Sequence, residues 1–341
     1  MGSPGFRFLI ISFMLVLSFG LSYIVSGRDS SIGSDTYSYQ NFYYYFLHGS
    51  DYRISEPLFI LLADAAAWFS NDHRLFFFLI SFLSSFLLFF FSFKAYEALA
   101  PERNKRIGLF VGWFIALSLV SPFFANGQVN LLRSALAVPF TFAGYLLFYQ
   151  RRYTFAIVMA SVAVMFHFTY LMFLPLLPLI LLRRQYLLFA IVILACCYAL
   201  GITQGLFSSF SSLVEGIERF NYYAKYGGDV DGYRTGVRYD FLLFSLLFLF
   251  AFYYSSSRSN LLDFAFRIYA VSLTPFLLIG FIAYSDRLLF SAWLFIPFGL
   301  SCYLVYVCAR GELVLAPVLC FFVMSVLWFT AYSGIMDYRV L

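Results

Sequence analysis

In a chain where only 11% of residues are charged, ionisable side chains beside apolar runs are the first candidates for chemistry. Asp35 sits in SDTYSYQNFYYYF (34–46), which carries five tyrosines and two phenylalanines. Glu56 stands before a proline at the head of an apolar segment. In NGQVNLLRSALA, from Asn126, the i, i+4, i+7 spacing of Asn126, Asn130 and Arg133 predicts one helical face with two amides and a guanidinium. His167 is the one histidine of three inside an apolar run, and Asp286 and Arg287 adjoin at the head of another. These groups suit one kind of reaction. A carboxylate, or an imidazole with an ordinary pKa of about 6.5, can take a proton from a sugar hydroxyl, while guanidiniums grip phosphate oxygens bidentately.

Each has a plainer reading beside the chemical one. If 34–46 is helical, Asp35, Tyr39, Phe42, Tyr43 and Phe46 share a face. That face stacks on sugar rings or anchors the chain at the lipid headgroups. Arg133 is a pyrophosphate ligand or a snorkelling side chain beside capping asparagines, since a charge at the bilayer centre costs about 2.5–3.5 kcal/mol and persists only with a partner. His167 is a base beside a helix break or a satisfied core residue; Asp286 and Arg287 line a site or pair internally. From Glu215, EGIERFNYYAKYGGDVDGYRTGVRYD alternates Arg219, Lys225, Arg234 and Arg238 with tyrosines. Its DVDG lacks the further ligands of a calcium loop and is a weak metal signal.

The elements that must position these groups are membrane helices. Of 341 residues 62% are apolar, and mean hydropathy is +0.85, which excludes a soluble globular class. The first run, 6–25, lacks a small-x-small cleavage site and reads as an uncleaved span. Further runs lie near 74–93, 107–125, 134–149, 186–202, 240–256, 264–283, 288–308 and 313–332. The run 155–182 reads as two short helices turning just past His167. The expectation is an all-α polytopic protein of about eleven spans, one transmembrane domain over 1–341. Its longest polar segments, 26–73 with interfacial helices and 203–239, fall on one side. The five cysteines all lie in apolar segments and read as packing residues.

With the N-terminus inside, the cytoplasmic loops collect twelve basic residues against four acidic ones, and the outer side ten against thirteen. This satisfies the positive-inside rule provided that 56–69, short and carrying Asp64, dips into the outer face without crossing. Ionisable groups then gather at the outer ends of spans.

The order of features resembles the EpsG and Wzy family of polysaccharide polymerases. The likeness is carried by SDTYSYQNFYYYF, ISEPLF, the Asn130-x-x-Arg133 unit running into ALAVPFTFAGYLLF, FHFTYL and a late YSDRLLF, over about 1–290. Ser134 stands where glutamine is usual after the arginine. The resemblance implies a GT-C-like helical bundle in the bacterial inner membrane. It would transfer an undecaprenyl-pyrophosphate-linked oligosaccharide onto another lipid-linked repeat at the periplasmic face. It brings forward Asp35, Glu56 and His167 as catalytic residues, and Asn130, Arg133 and Arg287 as ligands of the carrier; Tyr39, Arg234, Arg238 and Asp286 join them from the residue reading. No cofactor is expected, because pyrophosphate leaves readily once its charge is matched. Expected partners are the lipid-linked oligosaccharide, membrane lipid, a chain-length regulator and a flippase, with no nucleic acid. An O-antigen ligase or single-sugar transferase is the nearest alternative. A flippase would instead carry paired broken helices and ionisable groups at mid-membrane.

Overall fold

A computed structural model describes residues 4–33, 35–50, 54–100, 106–213, 235–282, 284–309 and the single positions 323 and 326. Every element among the described residues is helical. In chain order they are α1 Pro4–Ser26, α2 Thr36–Leu47, α3 Pro57–Ala67, α4 His73–Leu99, α5 Ile107–Leu119, α6 Pro122–Val129, α7 Leu132–Tyr149, α8 Tyr153–Phe166, α9 Arg184–Ala199, α10 Ile202–Leu213, α11 Tyr239–Ser256, α12 Asn260–Ile279, α13 Ser285–Leu294 and α14 Ile296–Ala309.

Six helices are long and apolar enough to cross a bilayer: α1, α4, α7, α11, α12 and the 24-residue Ser285–Cys308. α5 with α6, bent by 67°, makes a seventh if counted as one span. The chain is a multi-pass membrane protein, but eleven spans are not reached among the described residues. The run near 186–202 forms only the 16-residue α9, about 24 Å long against a hydrocarbon core of about 30 Å. The run 155–182 breaks at His167 as expected, yet its second half is two 3₁₀ turns, Phe168–Phe173 and Leu177–Leu181. There Pro175 and Pro178 remove backbone donors. The span expected at 313–332 lies outside the described residues, apart from 323 and 326.

Packing follows from small residues and phenylalanine. α4 presents Ser81, Ser84, Ser85 and Ser92, all buried, on one side. The Ser81 hydroxyl donates to Gln128 Oε1 at 2.7 Å, and Gln128 Nε2 returns a bond to Ser84 at 3.2 Å. Such bonds, with close approach of small residues, hold membrane helices that gain nothing from the hydrophobic effect inside lipid. Gly144 lets α7 meet α8: a Cβ there would lie 3.2 Å from Ala156 O. Phe142 packs edge-on against Phe264 and Phe298. α12 threads the middle, buried along most of its length and touching α9, α11, α13 and α14.

Candidate functional site

Local rules set each group in place. Pro57 restricts the residue before it to extended geometry and is itself suited to the first helical position. Glu56 accordingly has φ −73° and ψ 118° at the N-terminus of α3. Arg133 stands in the first turn of α7, and His167 is the residue at which α8 unwinds, with φ −158°. α7 and α8 form an antiparallel hairpin. Sixteen residues lead from Arg133 to Tyr149 and fourteen from Tyr153 to His167, about 24 Å and 21 Å of rise, so the hairpin returns His167 to the level of Arg133.

α3 packs on both α4 and α8, which carries Glu56 to that level. Its Oε1 accepts from Arg133 Nη1 at 2.7 Å and from His167 Nδ1 at 3.1 Å; its Oε2 accepts from Ser55 N–H at 3.3 Å. Burial alone would push the Glu56 carboxyl up. The His167 hydrogen bond and the Arg133 charge outweigh burial and bring it down to about 2. An ionised carboxylate only accepts, so Nδ1 of His167 carries the proton and Nε2 keeps its lone pair. Arg133 Nε is buried with no hydrogen-bond partner among the described residues, and so is Asn130 Oδ1. In a native interior such orphaned polar atoms are few and call for an explanation.

A second ion pair joins the first. Arg287 Nη2 lies 3.2 Å from Asp35 Oδ2, and both Arg133 and Arg287 act electrostatically on His167. Arg287 also stacks on Tyr284, 4.5 Å from its ring centroid. Tyr284 has φ +62°, a left-handed conformation that is an outlier for so bulky a residue. It turns the chain into α13 so that Asp286 and Arg287 fall in the first helical turn. Asp286 faces the charges of Arg287 and Arg238.

The structure therefore brings together Asp35, Glu56, Arg133, His167 and Arg287. Other expected residues sit differently. Tyr39 is buried, its ring 5.9 Å from Phe59, and its hydroxyl acts on Arg133; it supports the guanidinium instead of offering a face to a sugar. Tyr43 and Phe42 are buried with it, while Tyr37, Tyr44 and Tyr45 stay exposed. Arg238 is held by both oxygens of Asp240, at 3.0 and 2.7 Å, over the Phe241 ring. Its charge acts on Asp286. Arg234, with Arg219, Lys225 and DVDG, lies outside the described residues.

The continuous face expected from Asn126, Asn130 and Arg133 is absent. α6 ends at Val129, the N–H groups of Asn130 and Leu131 both turn back to Asn126 O, and α7 starts afresh at Leu132. Asn130 Nδ2 donates to Asn126 Oδ1 at 2.7 Å, so the two amides pair, and Arg133 belongs to a different helix.

Sequence reasoning passed over Arg28. Its guanidinium lies 4.2 Å from the Phe77 centroid and donates to Val25 O, Thr36 Oγ1 and Val129 O. Burial lowers it to about 10, still cationic at neutral pH. It binds the 28–36 turn to the α6 end; its position directly after the first span was the available signal. Gly33 completes this joint: φ is +95°, and a Cβ would fall 2.4 Å from Val129 Cγ1 and 2.5 Å from Asn130 Oδ1. Ser134, at the position where glutamine is usual, is buried against the hydroxyl of Tyr170, which also bonds Ser291 at 2.8 Å.

A family model described as the EpsG family matches residues 11–340. No curated protein and no solved structure matches the chain.

Proposed function

The chain belongs to the EpsG family, a polysaccharide polymerase family, and from that premise we propose that it polymerises lipid-linked oligosaccharide repeats at the periplasmic face of a bacterial inner membrane. The observation that carries the reading is the single Glu56 oxygen shared by Arg133 and His167. A carboxylate fixing Nδ1–H leaves Nε2 directed to act as a general base, while a guanidinium held alongside faces the departing phosphate.

In the proposed step the acceptor sugar hydroxyl attacks the anomeric carbon of the donor. Its proton passes to His167 Nε2, the new C–O bond forms, and the bond from the anomeric carbon to the pyrophosphate oxygen breaks. The electron pair leaves with undecaprenyl pyrophosphate. Arg133, whose Nε has no hydrogen-bond partner among the described residues, and Arg287 balance the gained negative charge. Glu56 stabilises the imidazolium, and Asp35 keeps Arg287 oriented until the diphosphate competes for it.

The test is genetic. Deleting the gene should leave lipid A core bearing one repeat unit in place of a ladder of lengths. Complete loss of surface glycan would point to transport, and polymer that accumulates on the lipid carrier without reaching lipid A core would point to ligation.

A further inference from the structure

Four arginines gather at the end of the bundle opposite His167. Arg183, Arg184, Arg258 and Arg267 line an open cavity of about 600 Å³, with serine hydroxyls and the Asn260 amide between them. The cavity lies at the start of α12, whose twenty residues cover about 30 Å before reaching the level of Arg238. The site described above is thus a membrane thickness away.

Charge is unbalanced there. Among the described residues the cavity has one lining carboxylate, Asp263, which accepts from Arg267 Nε at 2.6 Å and from the Tyr149 hydroxyl at 3.1 Å. Arg267 is further occupied by the carbonyls of Ile180 and Leu182. Among the described residues no ion pair holds Arg183, Arg184 or Arg258. Arg258 lies over the rings of Tyr254 and Tyr306 instead, at 5.3 and 5.8 Å. The N-termini of α9 and α12 open at the same place, where Ser259 Oγ caps Leu262 N–H and the helix dipoles add positive partial charge.

The surroundings identify the anion as part of a lipid. Tyr186 and Tyr254 are exposed beside the arginines, as tyrosines at a headgroup layer are. Further along the same helices, Phe189 and Ile193 of α9 and Leu247 and Phe250 of α11 are exposed and give acyl chains an apolar surface. We propose that this cavity binds the phosphate headgroup of one anionic phospholipid per chain. Basic pockets between helices on the cytoplasmic side suit such headgroups, and this end carries the arginines that sequence charge assigns to the cytoplasm. The proposal does not depend on the polymerase reading.

Native mass spectrometry of the full chain released from nanodiscs of equal phosphatidylglycerol and phosphatidylcholine tests it. One phosphatidylglycerol should be retained in preference to phosphatidylcholine. The Arg183→Gln/Arg258→Gln double variant should lose that preference by about twenty-five-fold, at about fivefold for each guanidinium removed. The Arg183→Lys/Arg258→Lys variant should keep most of it, which separates loss of charge from loss of fold. Equal retention of the two lipids, a preference unchanged by the glutamine variant, or complete loss in the lysine variant would overturn the proposal. So would inorganic phosphate protecting the chain against heat as well as phosphatidylglycerol does, which would assign the site to a soluble anion.

Discussion

Glu56 Oε1 lies 3.1 Å from His167 Nδ1, and this contact decides which imidazole nitrogen carries the proton. Replacing Glu56 by glutamine keeps the shape and removes the charge that stabilises the imidazolium. Polymer formation by Glu56→Gln should fall at least about a hundredfold, measured as repeat units added per unit of membrane-inserted protein. Arg133 then loses its counter-ion, and the melting temperature in detergent should drop by the equivalent of about 1–3 kcal/mol.

The pH profile follows from the same carboxylate. Held at about 2 in the folded chain against an ordinary 4.5, Glu56 is ionised throughout the physiological range. A depressed carboxyl contributes stability that is present in full above 4.5 and is lost as pH falls toward 2. The rate of polymerisation should therefore show no inflection from Glu56 between pH 4.5 and 9. Its acid limb should belong to the His167 imidazole and should vanish in a His167 variant with residual activity. An acid limb near pH 4.5 that disappears in Glu56→Gln would assign the base to the carboxylate.

Gly33 is the hinge of the Arg28 joint. Gly33→Ala meets both a positive φ and a Cβ overlapping Val129 and Asn130, and should destabilise by about 2–4 kcal/mol. Gly49→Ala, also at positive φ but with nothing within 4 Å, should cost only about 1 kcal/mol. Thermal melts of the two variants compare steric overlap with backbone strain, and equal shifts would remove the joint from the account.

Sidedness is open to a direct map. α4, His73–Leu99, separates Ser30 from Ala100, and α3, at eleven residues, covers about 16 Å. Periplasmic reporters fused after Ser30 should be active and those after Ala100 inactive. The reverse pattern would turn the Glu56 cluster toward the cytosol.

How far the sequence could be read depended on how local each signal was. Pro57 constrains only its neighbour, and Glu56 takes the expected extended geometry. Pro175 and Pro178 account for the 3₁₀ turns of 168–181, which follow the break at His167. The membrane class follows from composition, whereas the bend within 107–129 and the shortness of α9 do not. The spacing of Asn126, Asn130 and Arg133 predicts one face only for an unbroken helix, and the chain breaks between α6 and α7. The turn at Asn130 and Leu131 is stabilised from elsewhere, by Arg28 reaching Val129 O and by Gln128 anchored to α4. A tyrosine-rich face gives no sign of which side will be covered, so the sequence leaves Tyr39 open as a sugar platform or a headgroup anchor. The contact of α2 with α3 and α4 buries it. The pairing of Glu56 with both Arg133 and His167 joins residues 77 and 111 positions apart, a separation that no local pattern encodes.

Turnover of purified lipid-linked repeat units by the reconstituted His167→Ala variant tests the central claim most directly. The account predicts a loss of about a hundredfold to ten-thousandfold in protein that inserts and melts as the parent does, with lipid-linked substrate still bound. Parent-like chain growth by that variant would contradict it and remove the imidazole from the reaction.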